Sequence, residues 1–252
     1  GALFGGLVCG TFGLGVWQTK RYYWKVGLIE ERRRALAVEP RRATVLEAAQ
    51  RRNFERSIVR GRFKEEQVEV GPRPPPPGLV KPAQGMATGP VGYEVVAPFL
   101  DEHGTPCLVN KGWVPKSSRE RPQETSQKSE LVELVVLPTD GERQTAFSPA
   151  NTAAQVLWLE LPFIASLLFP DAGDTPPPYF VALGDGGGVQ GGGPWPRSAS
   201  QFAHFAVEPP THAAYAFTWF AISIAGAFMT RRLLFPASNP RRPPPVRRTQ
   251  QP

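Results

Sequence analysis

Apolar residues without a formal charge run from Gly1 to Trp17 and again from Ala213 to Thr230, and all 22 acidic residues lie between these two stretches. A helix needs roughly 20 apolar residues to cross a bilayer core about 30 Å thick. The pattern predicts a membrane hairpin. A first transmembrane helix is expected over 1–18, beginning upstream of Gly1, and a second over 211–230, with both termini on one side. The first stretch passes into Trp17, Arg21, Tyr22, Tyr23, Trp24 and Lys25, an aromatic and basic belt suited to a helix retained at the membrane interface. A secretory signal peptide is the alternative reading, and the absence of a small-residue cleavage site argues against it.

Between the spans, residues 19–208 are enough for one domain with its own core. Trp24, Leu28 and Ile29 share one face of a helix that continues out of the membrane towards Ala37, where Pro40 stops it. Thr44 and Glu47 have the spacing of a capping box opening a short helix to Arg52. Strands are predicted at Ser57–Phe63, Glu66–Val70, Tyr93–Phe99, Pro106–Val114, Leu131–Pro138, Tyr179–Leu183 and Gln201–Val207, from short β-rich runs with period-two alternation. Asn151 or Thr152 is expected to cap an apolar helix over Ala153–Phe169, with Pro162 kinking or dividing it. Residues 73–90, with four consecutive prolines, and 184–196, rich in glycine, read as loops. Residues 231–252 form a Pro- and Arg-rich tail. The expected fold class is an α+β membrane protein: two terminal transmembrane helices flanking a small antiparallel β-sheet or barrel with inserted helices.

Charge orients the hairpin. The 23 Lys and Arg from Lys20 to Arg197 nearly balance the acids, whereas Arg231, Arg232, Arg241, Arg242, Arg247 and Arg248 are unopposed and carry most of the net +7. Basic residues next to a span favour the cytoplasm-like side. The tail is therefore expected in the matrix of a mitochondrion, with the central domain facing the intermembrane space. The bacterial equivalent is a plasma-membrane protein with a periplasmic domain. The cluster of Lys20, Arg21, Lys25 and Arg32 to Arg34 argues the other way, but long loops translocate largely regardless of charge. The scattered basic residues bring no zinc-finger or RNA-binding signature, which argues against a nucleic-acid partner. Cys9 and Cys107 fall in different layers and are expected to be unpaired.

Several segments resemble, in order, the Surfeit locus protein 1 family of cytochrome oxidase assembly factors. They are Leu14–Gln18 followed by Arg21, Trp24–Lys25 and Leu28–Ile29; Val59–Phe63; Gly92–Phe99; Leu108–Pro115; and His212 with Tyr215, Thr218, Trp219 and Phe220. The resemblance spans about Leu14 to Arg232. It departs from the family pattern around His212, where Thr211, Ala213 and Ala214 replace polar and larger apolar side chains.

The resemblance implies a non-enzymatic factor for cytochrome c oxidase (complex IV) biogenesis in the respiratory chain. Its partners would be oxidase core subunits or assembly intermediates, and its role would be helping heme a enter or stay in the core subunit. His212 is then the candidate axial ligand of heme a, binding heme iron and no other metal, with Tyr215 and Trp219 as candidate heme-facing residues. A neutral imidazole is a suitable iron ligand, and i, i+3 and i+7 spacing puts the three on one helix face. An interfacial histidine in an aromatic belt, with no ligand at all, is the alternative. A stoichiometric accessory subunit of the mature oxidase or of a supercomplex, without heme handling, is the alternative function.

Gly6, Gly10 and Gly13 form a small-residue face on which another helix could approach, and Gly226 offers the second span a similar surface. Gly112 and Pro115 read as turn residues ending a strand. No catalytic residue is expected. Neither Gly-x-Ser-x-Gly nor His-Glu-x-x-His occurs, and the glycines at 186–193 lack the Lys and Ser/Thr of a phosphate loop. Asp101-Glu102-His103-Gly104 reads as a polar hairpin turn rather than a metal cluster.

Overall fold

The computed structural model describes residues 2–51, 54–76, 91–117, 130–145, 148–170, 175–184, 193–205 and 207–235. The chain divides into a helical unit, 1–28 with 206–252, and a second unit, 29–205. The helices are α1 (Ala2–Ala37), α2 (Val45–Gln50), α3 (Leu161–Leu168) and α4 (Pro209–Leu234), and α1 contributes residues to both units. The strands are β1 (Arg41–Arg42), β2 (Ser57–Phe63), β3 (Val68–Arg73), β4 (Gly92–Asp101), β5 (Pro106–Pro115), β6 (Val132–Pro138) and β7 (Tyr179–Leu183).

In the second unit the strand order is β1-β2-β6-β7-β5-β4-β3, and β2 also pairs with β4. That extra pairing closes β2, β6, β7, β5 and β4 into a five-stranded barrel. Residues 57–61 of β2 pair antiparallel with β6, and Gly61 to Phe63 pair with β4 at Asp101 to Phe99. Only β5 and β7 are parallel within the ring, which requires a crossover rather than a hairpin. Closure leaves the ring no open edge, which is how small antiparallel sheets avoid pairing with other chains.

All five ring strands contribute to one apolar cluster, so it fills the barrel: Val59, Phe99, Cys107, Val109, Val136 and Phe180, covered by Val45 and Ala48 of α2. Alternation sends Val96, Leu108, Tyr179 and Val181 to the outer wall, where they pack on Ile164, Ala165 and Leu168 of α3. Each fully buried Phe or Leu in these layers contributes about 1.5–3 kcal/mol relative to exposure. The last turns of α1 belong to this unit. Leu36 packs with Leu137 and Ala203, and the Arg32 guanidinium lies over the rings of Phe54 and Phe205 while donating to the Phe202 carbonyl.

The predicted strands from 57 to 183 are present, Ser57–Phe63 and Tyr179–Leu183 with the expected bounds and the others with shifted ends, and the capping box of Thr44 and Glu47 is formed in both directions. The expected end of α2 at Arg52 lies outside the described residues, as do most of the Pro-rich and Gly-rich loops and Arg241, Arg242, Arg247 and Arg248 of the tail. Three expectations are corrected. The helix over Ala153–Phe169 is confined to α3, because Pro162 stands in its first turn, where a missing N–H costs nothing. Asn151 instead organises a turn, its Oδ1 accepting from the Leu157 and Trp158 N–H groups and its Nδ2 donating to the Trp158 carbonyl and Glu160. Gln201–Val207 is not a strand, since Ala199–Ala203 winds into a 3-10 helix. Gly112 does not end β5 but lies inside it at a bulge, with φ +124°, and an added Cβ would strike the Trp195 carbonyl. Pro115 does end that strand.

Among the described residues one helix, α4, is long and apolar enough to cross a membrane. The α1 helix has the length, but Gly5, Gly6, Gly10, Gly13 and Gly15 dilute its apolar part and charge begins at Lys20.

Candidate functional site

In the helical unit, the less exposed positions of α1 include Val8, Thr11, Gly15, Gln18, Tyr22 and Lys25, and those of α4 include His212, Ala216, Trp219, Ser223 and Gly226. Steps of three and four alternate along both series, the spacing that keeps one seam between two helices. The seam is antiparallel. Ser223 Oγ donates to the Val8 carbonyl at 3.0 Å, and the rings of Phe12 and Phe220 meet edge to face with centroids 5.4 Å apart. Further along, His212 Nδ1 lies 2.7 Å from Gln18 Oε1, and Lys25 Nζ donates to the Val207 carbonyl.

Close approach depends on Gly15, where an added Cβ would come within 2.7 Å of the Phe220 ring, and on Gly226, where it would come 3.1 Å from Val8 Cγ2. Gly6, Gly10 and Gly13 do not carry this contact, since a Cβ at any of them meets nothing within 4 Å among the described residues. On α1 the small-residue pattern therefore marked the right helix and the wrong face, Gly15 lying on the face that is used, whereas Gly226 of α4 is on the contacting face as expected.

His212 sits half-buried in the first turn of α4 with its two ring nitrogens in different situations. Nδ1 is engaged by Gln18, whereas Nε2 is buried and has no hydrogen-bond partner among the described residues. Trp219, seven positions on, is on the same seam. Tyr215 is 54% exposed, about 60° round the helix from His212 by its three-residue step. The structure thus brings His212 to Gln18, places Trp219 about two turns further along the same seam and turns Tyr215 outward. Of the residues expected in the interfacial aromatic and basic belt, Lys25 is buried, while Trp17, Tyr23 and Trp24 are exposed. The alternating three- and four-residue steps from Val8 to Lys25 were available in the sequence to find Gln18 and Lys25.

The second unit holds a polar cluster that the sequence reading did not single out. A cavity of about 400 Å3 is lined in part by Arg73, Glu94, Asn110, Thr139, Tyr179 and Arg197. The buried Glu94 carboxylate pairs with Arg197 and accepts from Asn110 Nδ2 at 3.0 Å. Asn110 Nδ2 also donates to the Tyr179 hydroxyl, and Asn110 Oδ1 accepts from the Gly112 N–H at the bulge. Burial, and then the nearby Glu94 charge, push the Tyr179 hydroxyl above its ordinary range. Arg73 is paired with Glu142 at 2.5 Å. With its cations matched to carboxylates, the cluster secures the bulge and the segment that carries Arg197.

The remaining candidates take structural roles. Asp101 to Gly104 forms the β4–β5 turn, with the Asp101 carboxylate accepting from the N–H groups of Val45, His103 and Thr105. Cys9 and Cys107 are free thiols, and burial pushes that of Cys107 far up. Inside the barrel it is inert.

A model of the SURF1 family matches residues 6–224, a span that takes in the barrel and the His212 seam. The chain is 28% identical over 242 residues to a SURF1-like protein of Drosophila melanogaster, covering 88% of this chain and 73% of the relative. It is 24% identical over 285 residues to Surfeit locus protein 1 of Arabidopsis thaliana, covering 89% and 74%. A Surfeit locus protein 1 of Takifugu rubripes is 31% identical over 157 residues, 59% of this chain and 65% of the relative.

Proposed function

Since the chain belongs to the SURF1 family, we propose that it is a non-enzymatic assembly factor for cytochrome oxidase, acting while the heme a centres of the core subunit are formed. In this reading α4 and the N-terminal part of α1 both cross the membrane, in the mitochondrial inner membrane or its bacterial counterpart. Arg231 and Arg232 close α4 on the matrix-like side, and residues 29–205 face the opposite compartment.

The observation that carries heme handling is the unpartnered Nε2 of His212. A buried ring nitrogen without a hydrogen bond carries a desolvation cost, and a neutral imidazole nitrogen is a suitable ligand for heme iron. The donor set fits the group. When bound, the heme would supply an iron able to take one imidazole nitrogen. On the protein side, His212 would provide the ligand atom and Trp219 a flat apolar wall on the same seam. Because Nε2 is covered in this conformation, side chains around it would have to shift for His212 to serve as a ligand. Uptake and release would then accompany a local opening, as a transient carrier requires.

Capture of the native protein in mild detergent, with subunit quantification and an optical spectrum, tests the proposal. A substoichiometric factor with oxidase intermediates and a heme band lost in His212→Ala is expected. One-to-one recovery with active oxidase and no additional heme would instead assign a resident accessory subunit.

A further inference from the structure

We propose that Gln18 is a positioning residue that holds the His212 proton on Nδ1 and so presents the Nε2 lone pair to a metal. The inference rests on the heme reading only for the identity of that metal.

Two hydrogen-bonding arrangements could place an amide against Nδ1. Either Nδ1–H donates to Gln18 Oε1, or, with the amide turned over, Gln18 donates to a bare Nδ1 and the ring proton moves to Nε2. The surroundings of Nε2 decide between them. It is buried and has no partner among the described residues. In the second arrangement a buried N–H would have no acceptor, and orphaned buried N–H groups are rarer and more costly than under-used acceptors. In the first, only a lone pair is unmatched, and that is the atom a metal takes. The 2.7 Å separation of Nδ1 and Gln18 Oε1 agrees with a strong N–H···O contact.

Position in the fold makes the bond a link between helices. Gln18 is on α1 and His212 on α4, 194 residues apart, so the ring orientation depends on the register of the seam. Gly15, one turn before Gln18, allows the approach through its contact with Phe220. Partners of this type, on the far nitrogen of a ligating histidine, set its tautomer and basicity, and their loss typically lowers metal affinity ten- to a hundred-fold.

The test uses the full chain in detergent with 15N-labelled histidine, the His212 signals being assigned by their loss in His212→Ala. Long-range proton–nitrogen spectra read the tautomer before any heme is added. Wild type is expected to show a protonated Nδ1 and a bare Nε2. Gln18→Leu should shift the proton towards Nε2, the form free histidine prefers, and Gln18→Glu, which restores an acceptor, should return it to Nδ1. Gln18→Asn, one methylene too short, gives the same reading should the Leu variant fail to fold. Titration with hemin should then show about ten- to a hundred-fold weaker binding for Gln18→Leu than for wild type, with recovery in Gln18→Glu. A wild-type proton on Nε2, or a tautomer unmoved by Gln18→Leu, would overturn the role of Gln18. Wild type with Nδ1 protonated that takes up no hemin would leave that role standing and sink the heme reading alone.

Discussion

Asp101 shows how one carboxylate ties three parts of the barrel together. Its oxygens accept from Val45 at the start of α2 and from His103 and Thr105 in the β4–β5 turn, at 2.8 to 3.2 Å. Burial alone would raise its pKa, but the Thr105, Val45 and His103 N–H groups outweigh that and hold it below the ordinary carboxylate value. The stability it supplies is therefore fully present above the unfolded value of about 3.9 and is lost as pH falls through the lower folded one. Asp101→Ala should destabilise the protein by about 1–3 kcal/mol at pH 7. In denaturant titrations the gap from wild type should narrow in acid, and a gap of the same size at both pH extremes would refute the charge-based account. The turn itself was legible, because Asp and Gly three apart are turn chemistry. The reach from Asp101 to Val45 was not, because it joins residues 56 apart.

At the scale of elements, the α1–α4 seam shows what a helical pattern reveals. Apolar, charge-free stretches mark the helices, but both are apolar nearly all round, so no amphipathic contrast announces the contacting face. Alternating steps of three and four do mark it, through small and polar residues such as Thr11, Gly15, Gln18, Ser223 and Gly226. Between membrane helices such residues allow close approach and hydrogen bonding. Gly15→Leu should loosen the pairing by about 1–3 kcal/mol through overpacking against Phe220, whereas Gly13→Leu, facing open space, should not. Unfolding by SDS in mixed micelles measures both, and equal losses would show that Gly15 has no special place. The same logic explains Pro162: proline marked a break, and the structure made it a beginning.

For the whole molecule, the closing of β2 onto β4 and the crossover to β7 decide the barrel, and neither is written in strand periodicity. The proposed orientation rests on charge near α4. In sealed inner-membrane vesicles with the outer face exposed, His103→Cys in a Cys9→Ser background should react with an impermeant maleimide without detergent. Cys107 stays silent in that experiment because it is buried and its thiol is held protonated. Labelling that appears only after the vesicles are opened would reverse the topology.

By itself the sequence determined the family, the apolar C-terminal helix and the β-rich middle, because composition, short-range periodicity and ordered motifs are local properties. Tertiary structure alone decided that Gln18 is the residue His212 meets, that Tyr215 turns away, and that Glu94, Asn110, Tyr179 and Arg197 form one network. Those outcomes depend on helix register and strand pairing across large sequence separations, where contacts between distant residues, rather than the preferences of each, set which polar atoms are satisfied.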